Sequence, residues 1–170
     1  MEVTSKFMTN YYGLEPSPEN FVAPGKKPLS SMSPTFVFRL EENGKKNDFG
    51  ALKLIIGGSG GPKIISSVLE VFINYCLLGM SLFDALARPR IHEQLVYHNA
   101  AVTTTEKDPL DQGPLLEVPQ RTKDALLSRG HKTLLDIDYA GTVQAVGIDL
   151  ETKLLSGVSD PRKGGAPAGY

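Results

Sequence analysis

Five residues, Gly57-Gly58-Ser59-Gly60-Gly61, constrain this chain more than any others. Upstream, Ala51-Leu52-Lys53-Leu54-Ile55-Ile56 is strand-like. Downstream, Pro62 suits the first turn of a helix, and Ile64, Ile65, Val68, Leu69, Phe72, Ile73 and Cys76 recur at the spacing of one helical face. The chain must therefore turn from strand to helix within a stretch that is almost all glycine. Two readings follow. Either the glycines simply permit the bend, or the backbone N–H groups they leave bare, set at the positive end of the helix, meet a developing negative charge. The spacing is not Gly-x-Gly-x-x-Gly and no parallel βαβ unit surrounds it, which excludes a dinucleotide fingerprint. Ser59 has no evident histidine partner and does not read as a nucleophile elbow.

A second feature pairs with the first. Pro28-Leu29-Ser30-Ser31-Met32 places two hydroxyls side by side at a turn, each able to donate to a carboxylate. The alternative is a plain turn between prolines. Lys26 and Lys27 just upstream favour an anion, although paired lysines also serve as a solvated surface. Neither feature contains an attacking group.

The rest of the chain reads as one α+β domain over 1–170, a usual single-domain length able to bury a core. Residues 1–34 hold Pro16, Pro18, Pro24, Pro28 and Pro34 with little apolar periodicity, so they form an extended segment ordered by docking. The sheet and helix body covers 35–158. Strands are expected over 35–40 and 51–56 around an Asn43-Gly44 hairpin turn, over 100–105, and over 141–150 with 154–158. The helix after Pro62 stops at Gly79; Ser81 caps another to about Ala87, halted by Pro89; 120–129 is helical with Gly130 as its stop. Strands at both ends with helices between them give layers, not an alternating parallel sheet. The tail, 159–170, is too rich in Gly and Pro for regular structure and either wanders over the surface or pins into a groove.

Charge and composition exclude some roles. A net charge of -1, from 18 basic and 19 acidic residues, supplies no field for nucleic acid. No stretch approaches the roughly 20 apolar residues of a membrane span, and 1–20 are not signal-like. Cys76, the lone cysteine, lies in an apolar run and reads as a buried, inert thiol. No grouping of His, Cys and carboxylates has metal-ligand spacing, and no cofactor is implied. Arg90 and His92 could reach a pocket or serve as buried or capping groups, whereas His98 and His131 stand isolated.

Four stretches in order carry a resemblance: Pro24 to Thr35, Gly57 to Gly61, Ala87-Arg88-Pro89-Arg90-Ile91-His92-Glu93-Gln94-Leu95, and Ser159-Asp160-Pro161-Arg162-Lys163-Gly164-Gly165. Together they resemble the small subunit of γ-glutamyltransferases over about 10–170, closest to the eukaryotic, plant-like branch. The resemblance implies the αββα sandwich of N-terminal nucleophile hydrolases, incomplete at its N-terminal side, and an enzyme of glutathione catabolism. Such enzymes pass the γ-glutamyl group of glutathione or another γ-glutamyl compound to water, an amino acid or a dipeptide, using an N-terminal threonine whose α-amine is the base. It further implies that Ser30 and Ser31 bind the substrate α-carboxylate and that Gly60 and Gly61 supply the oxyanion hole. Glu2 stands near the position of the family's amine-binding aspartate. The family's nucleophilic threonine precedes the point where these residues start, and Thr4, Thr9 and Thr103-Thr104-Thr105 do not replace it. The chain alone is then expected to be inactive, with a large subunit or the upstream part of the same precursor as its partner. By family the location is the cell surface through a membrane anchor, the exterior, or the vacuole. A non-catalytic truncated homologue, acting as a ligand-binding or assembly module, is the alternative, and an acylase for another amide is a third option.

Overall fold

The alternation that marks 51–56 runs further than its apolar residues. In the computed structural model, which describes residues 9–40, 49–98, 100–110 and 113–169, β2 spans Phe49–Ser59 and carries Gly57 and Gly58 in its ladder. It pairs antiparallel with β1 (Thr35–Leu40), with Thr35 opposite Ile56. The expected Asn43-Gly44 turn between them lies outside the described residues. On its other side β2 pairs with β7 (Thr142–Ile148), and β7 with β8 (Leu155–Val158), giving an antiparallel sheet in the order β1-β2-β7-β8.

One face of that sheet is the core. Leu54 and Ile56 from β2 and Val143 and Ala145 from β7 meet Ile64, Val68 and Val71 of helix α1 (Lys63–Phe72) and Leu82, Ala85 and Leu86 of α2 (Leu82–Ala87). Burying a side chain of this kind contributes about 1.5–3 kcal/mol. The buried stripe of α1 is Ile64, Ser67, Val68 and Val71; Ile65 and Leu69, expected on the same face, are turned to the surface, one residue and about 100° round the helix from that stripe. After Phe72 the helix widens into a π turn, Ile73–Leu77, where an α-helix was expected to continue. Gly79 ends it at φ 68°, and Ser81 caps α2 by accepting from the Asp84 N–H at 3.1 Å. Cys76 on the π turn is only half-buried, not buried as expected, and burial pushes its thiol pKa up.

A second sheet surrounds β4 (Thr103–Pro109), which starts later and runs longer than the strand expected over 100–105. The short strands β3 (Ile91–Glu93) and β5 (Leu115–Glu117) pair antiparallel with it, and β6 (Leu134–Ile137) pairs parallel after the crossover through α3 (Gln120–Ser128). These three strands were not anticipated. Helices and strands therefore interleave in the second half instead of separating into blocks, although the architecture remains α+β.

The segment before β1 is irregular apart from a 3-10 turn at Pro18–Asn20. Buried Asn10 accepts the N–H groups of Tyr12 and Leu14 at 2.9 and 3.0 Å, closing a turn that lies against the Gly57–Gly61 corner.

Candidate active site

Register brings the two sequence features to one end of the first sheet. Antiparallel pairing of Thr35 with Ile56 means that the chain before β1 and the chain after β2 leave the sheet together. The β1–β2 pairing ends at Thr35 and Ile56, so the segment bearing Ser30 and Ser31 and the glycine corner share that end of the sheet without pairing. Ser30 is exposed and Ser31 half-buried. The turn holds itself: Ser30 Oγ accepts the Met32 N–H at 3.1 Å, and Ser33 Oγ donates to the Ser31 carbonyl at 3.1 Å. Both Ser30 and Ser31 hydroxyl protons are left for an acceptor outside this turn.

The glycine corner is built so that only glycine fits. Gly60 and Gly61 have φ of 130° and 62°, in the left-handed half of conformational space. A Cβ on Gly60 would lie 2.8 Å from Gly141 Cα, and one on Gly61 would collide with the Tyr12 ring. Among the described residues, no turn or loop backbone bond uses the N–H of either glycine. They stand at the start of α1, where the helix's own unpaired donors add positive potential. Ser59 is occupied elsewhere, its hydroxyl 2.7 Å from that of Thr142.

Tyr12 covers this corner, and a relay ties it down. The Tyr12 carbonyl accepts from Gln94 Nε2 at 3.3 Å, Gln94 Oε1 sits 2.9 Å from His92 Nε2, and His92 Nδ1 sits 2.9 Å from Ser66 Oγ on α1. Burial, with Lys63 nearby, lowers the His92 pKa and so favours the neutral ring. The neutral tautomer that satisfies this chain donates from Nε2 to Gln94 and accepts at Nδ1 from Ser66. His92 is thus structural. His131, which looked isolated, has its Nδ1 2.6 Å from Thr103 Oγ1; His98 is exposed against the Tyr97 ring. Between the turn at Asn10 and the run into Ser30 lies a cleft of about 510 Å³, bordered by Leu14, Phe21, Lys26, Lys27 and Leu29. Glu2 lies outside the described residues.

Behind the corner, the two remaining motif stretches meet as a buried ionic network. Asp160 Oδ2 accepts from Arg90 Nη2 and from the Val143 N–H, both at 2.7 Å, while Asp160 Oδ1 accepts from Arg162 Nη1 at 3.0 Å. Arg162 also grips Glu106 with Nε and Nη2, and the Arg90 N–H donates to Glu106 Oε2 at 2.9 Å. Burial alone would raise the Asp160 pKa, but Arg90 and Arg162 hold it below the usual carboxylate range. Pairing with Glu106 and Asp160 outweighs burial for Arg162 and raises its pKa. The start of the tail, Asp160 to Arg162, is therefore pinned between the sheets, while residues 163–169 are exposed. Sequence reading had marked Arg90 as a pocket or buried residue and did not see that Glu106 and Asp160 were its partners; the acidic partners lie 16 and 70 residues away, beyond any local pattern.

The gamma-glutamyltranspeptidase family profile matches residues 1–170. The chain belongs to that family. Glutathione hydrolase 2 of Arabidopsis thaliana is 35% identical over 165 residues, covering 91% of this chain and 25% of the relative. Glutathione hydrolase proenzyme 1 of Schizosaccharomyces pombe is 34% identical over 171 residues, covering 99% of this chain and 24% of the relative. The chain thus spans about a quarter of the length of these curated relatives. Among solved structures, the Helicobacter pylori gamma-glutamyltranspeptidase T380A mutant superposes with a TM-score of 0.72 at 31% identity, over 94% of this chain and 76% of that one. The gamma-glutamyltranspeptidase fold is that of an N-terminal nucleophile hydrolase, and the mixed sheets and helices described above are consistent with its layered sandwich.

Proposed function

We propose that this chain is the substrate-holding part of a glutathione hydrolase that cleaves the γ-glutamyl amide and transfers the group to water, an amino acid or a dipeptide. Ser30 and Ser31 donate to the α-carboxylate, and the Gly60 and Gly61 N–H groups polarise the scissile carbonyl. The nucleophile is the threonine that begins the family's small subunit, upstream of these 170 residues, and a large subunit or the upstream part of the same precursor is the partner. Glu2 stays assigned to the substrate amine.

The observation that carries this reading is the shared register, which puts two hydroxyl donors and two unpaired N–H groups at the same end of one sheet. A γ-glutamyl group has its anionic end and its reactive carbonyl separated by a short aliphatic stem, and the reading gives each end one of the two donor sets. An oxyanion donor of this type contributes about 2.7–4 kcal/mol to the transition state. The chain holds and polarises but does not attack. We expect a protein extended upstream to a processed threonine to release product from a γ-glutamyl anilide, and Ser30→Ala with Ser31→Ala to raise KM about tenfold or more, from loss of charge-assisted hydrogen bonds. A threonine-bearing extended protein that binds glutamate without turnover would instead establish the non-catalytic module.

A further inference from the structure

The wall behind Gly60 is residues 139–141, and its three successive carbonyls are each held by a side chain. Lys63 Nζ donates to the Tyr139 carbonyl at 2.7 Å, Ser67 Oγ lies 2.7 Å from the Ala140 carbonyl, and Arg90 Nη1 donates to the Gly141 carbonyl at 2.6 Å. Gly141 Cα and the Tyr139 hydroxyl are the atoms a Cβ on Gly60 would meet first, at 2.8 and 3.4 Å. The wall cannot move without the corner moving.

Lys63 is the unexpected member. It is 6% exposed and is the first residue of α1. Both positions oppose a cation: burial favours its neutral form, and the helix N-terminus is already positive. A buried apolar residue would be cheaper there. What the ammonium gains is the Tyr139 carbonyl and the faces of the Tyr97 and Tyr139 rings, 5.8 and 5.7 Å from Nζ to the ring centroids. Asp138 and Glu106 also favour its charged form, and the side chain ties the first turn of α1, just after Gly61, to the wall.

We infer that Lys63 is a positioning residue for the oxyanion corner: its ammonium, through the Tyr139 carbonyl, locks the 139–141 wall against Gly60. This rests on the oxyanion reading of Gly60 and Gly61. Two measurements test it. In the upstream-extended protein, Lys63→Met accelerates amide exchange at Ile64, whose N–H donates to the Gly61 carbonyl, by about tenfold or more while core amides such as those of Leu54 and Val71 keep their protection, and Lys63→Arg restores the rate. In the upstream-extended enzyme, Lys63→Met lowers kcat about 10–100-fold with KM within about twofold, again rescued by Lys63→Arg. Unchanged exchange at the corner, or an unchanged kcat, overturns the inference. An extended wild-type enzyme that releases no product overturns the proposed function instead, and the exchange data still judge the lock.

Discussion

Single residues in this molecule are decided by what lies behind them. Gly61 is the clearest case, because a methyl group there meets the Tyr12 ring and a φ of 62° that side chains avoid. Gly61→Ala is expected to displace Tyr12 and the Gly61 N–H together, lowering kcat of the extended enzyme toward the 10²–10³-fold loss seen when an oxyanion donor is removed, as read by anilide turnover. Glu70 is a second case. Its Oε1 accepts the Ile91 N–H at 3.0 Å while Oε2 is buried without a partner, and burial pushes its pKa up to about 7 against an ordinary 4.5. A raised carboxyl pKa means that the folded state prefers the proton. The contribution of Glu70 to stability is then greatest below about pH 4.5 and declines as pH rises toward 7, by about 3 kcal/mol in all at about 1.4 kcal/mol per pH unit. Glu70→Gln should raise Tm at pH 7.5 and leave it unchanged near pH 4.5, a difference visible in thermal melts. Ser30, Ser31, Gly60 and Gly61 could be singled out from the sequence because adjacent hydroxyls and a glycine run are local patterns, while the roles proposed for them come from the family resemblance. The partners of Arg90 were not, since hydrogen bonds across the fold leave no spacing in the chain.

At the scale of elements, the readable parts were those with long patterns. β1, β2, α1, α3 and the β7–β8 hairpin were marked by alternation, helical spacing or a glycine stop, and each lies close to its expected position. β3 and β5 are three residues each, too short to show a period, and β6 (Leu-Leu-Asp-Ile) lacks alternation. The π turn after α1 is equally silent, because no residue type marks the place where a helix gains a residue per turn. The cap of α2 was legible. Ser81 accepts from the Asp84 N–H and donates to Asp84 Oδ2 at 2.6 Å, so Ser81→Ala should cost about 1 kcal/mol, measured by urea denaturation with an unchanged m-value.

For the molecule as a whole, the ionic network decides whether the two sheets hold together. Asp160→Asn would leave Arg90 and Arg162 facing each other in the interior, and stability should fall by about 3–5 kcal/mol, a large share of the 5–15 kcal/mol typical of a domain. A fall under 1 kcal/mol in denaturant melts would refute that weight. The first sheet also has a second face. Phe36 pairs with Ile55, and Ile55 with Val146, on the side away from α1, and Phe36 is 58% exposed. An apolar face of this kind favours association, so the 170-residue chain is expected to self-associate at micromolar concentration in sedimentation velocity, and an upstream extension to abolish it.

β4 gives the chain its intolerance of misalignment. Thr103, Thr104, Thr105 and Glu106 are all 2% exposed or less, and each has a polar partner: Glu93 and His131, the His92 carbonyl, Asp136, and Arg90 with Arg162. A slip of one residue would turn every one of these groups toward the wrong neighbour. At about 1–3 kcal/mol for each buried group left unsatisfied, the misaligned sheet would forfeit most of the stability of a domain. An apolar strand could survive in two alignments; this polar one functions as its own proofreader, and a chain that pairs wrongly has no stable state in which to remain.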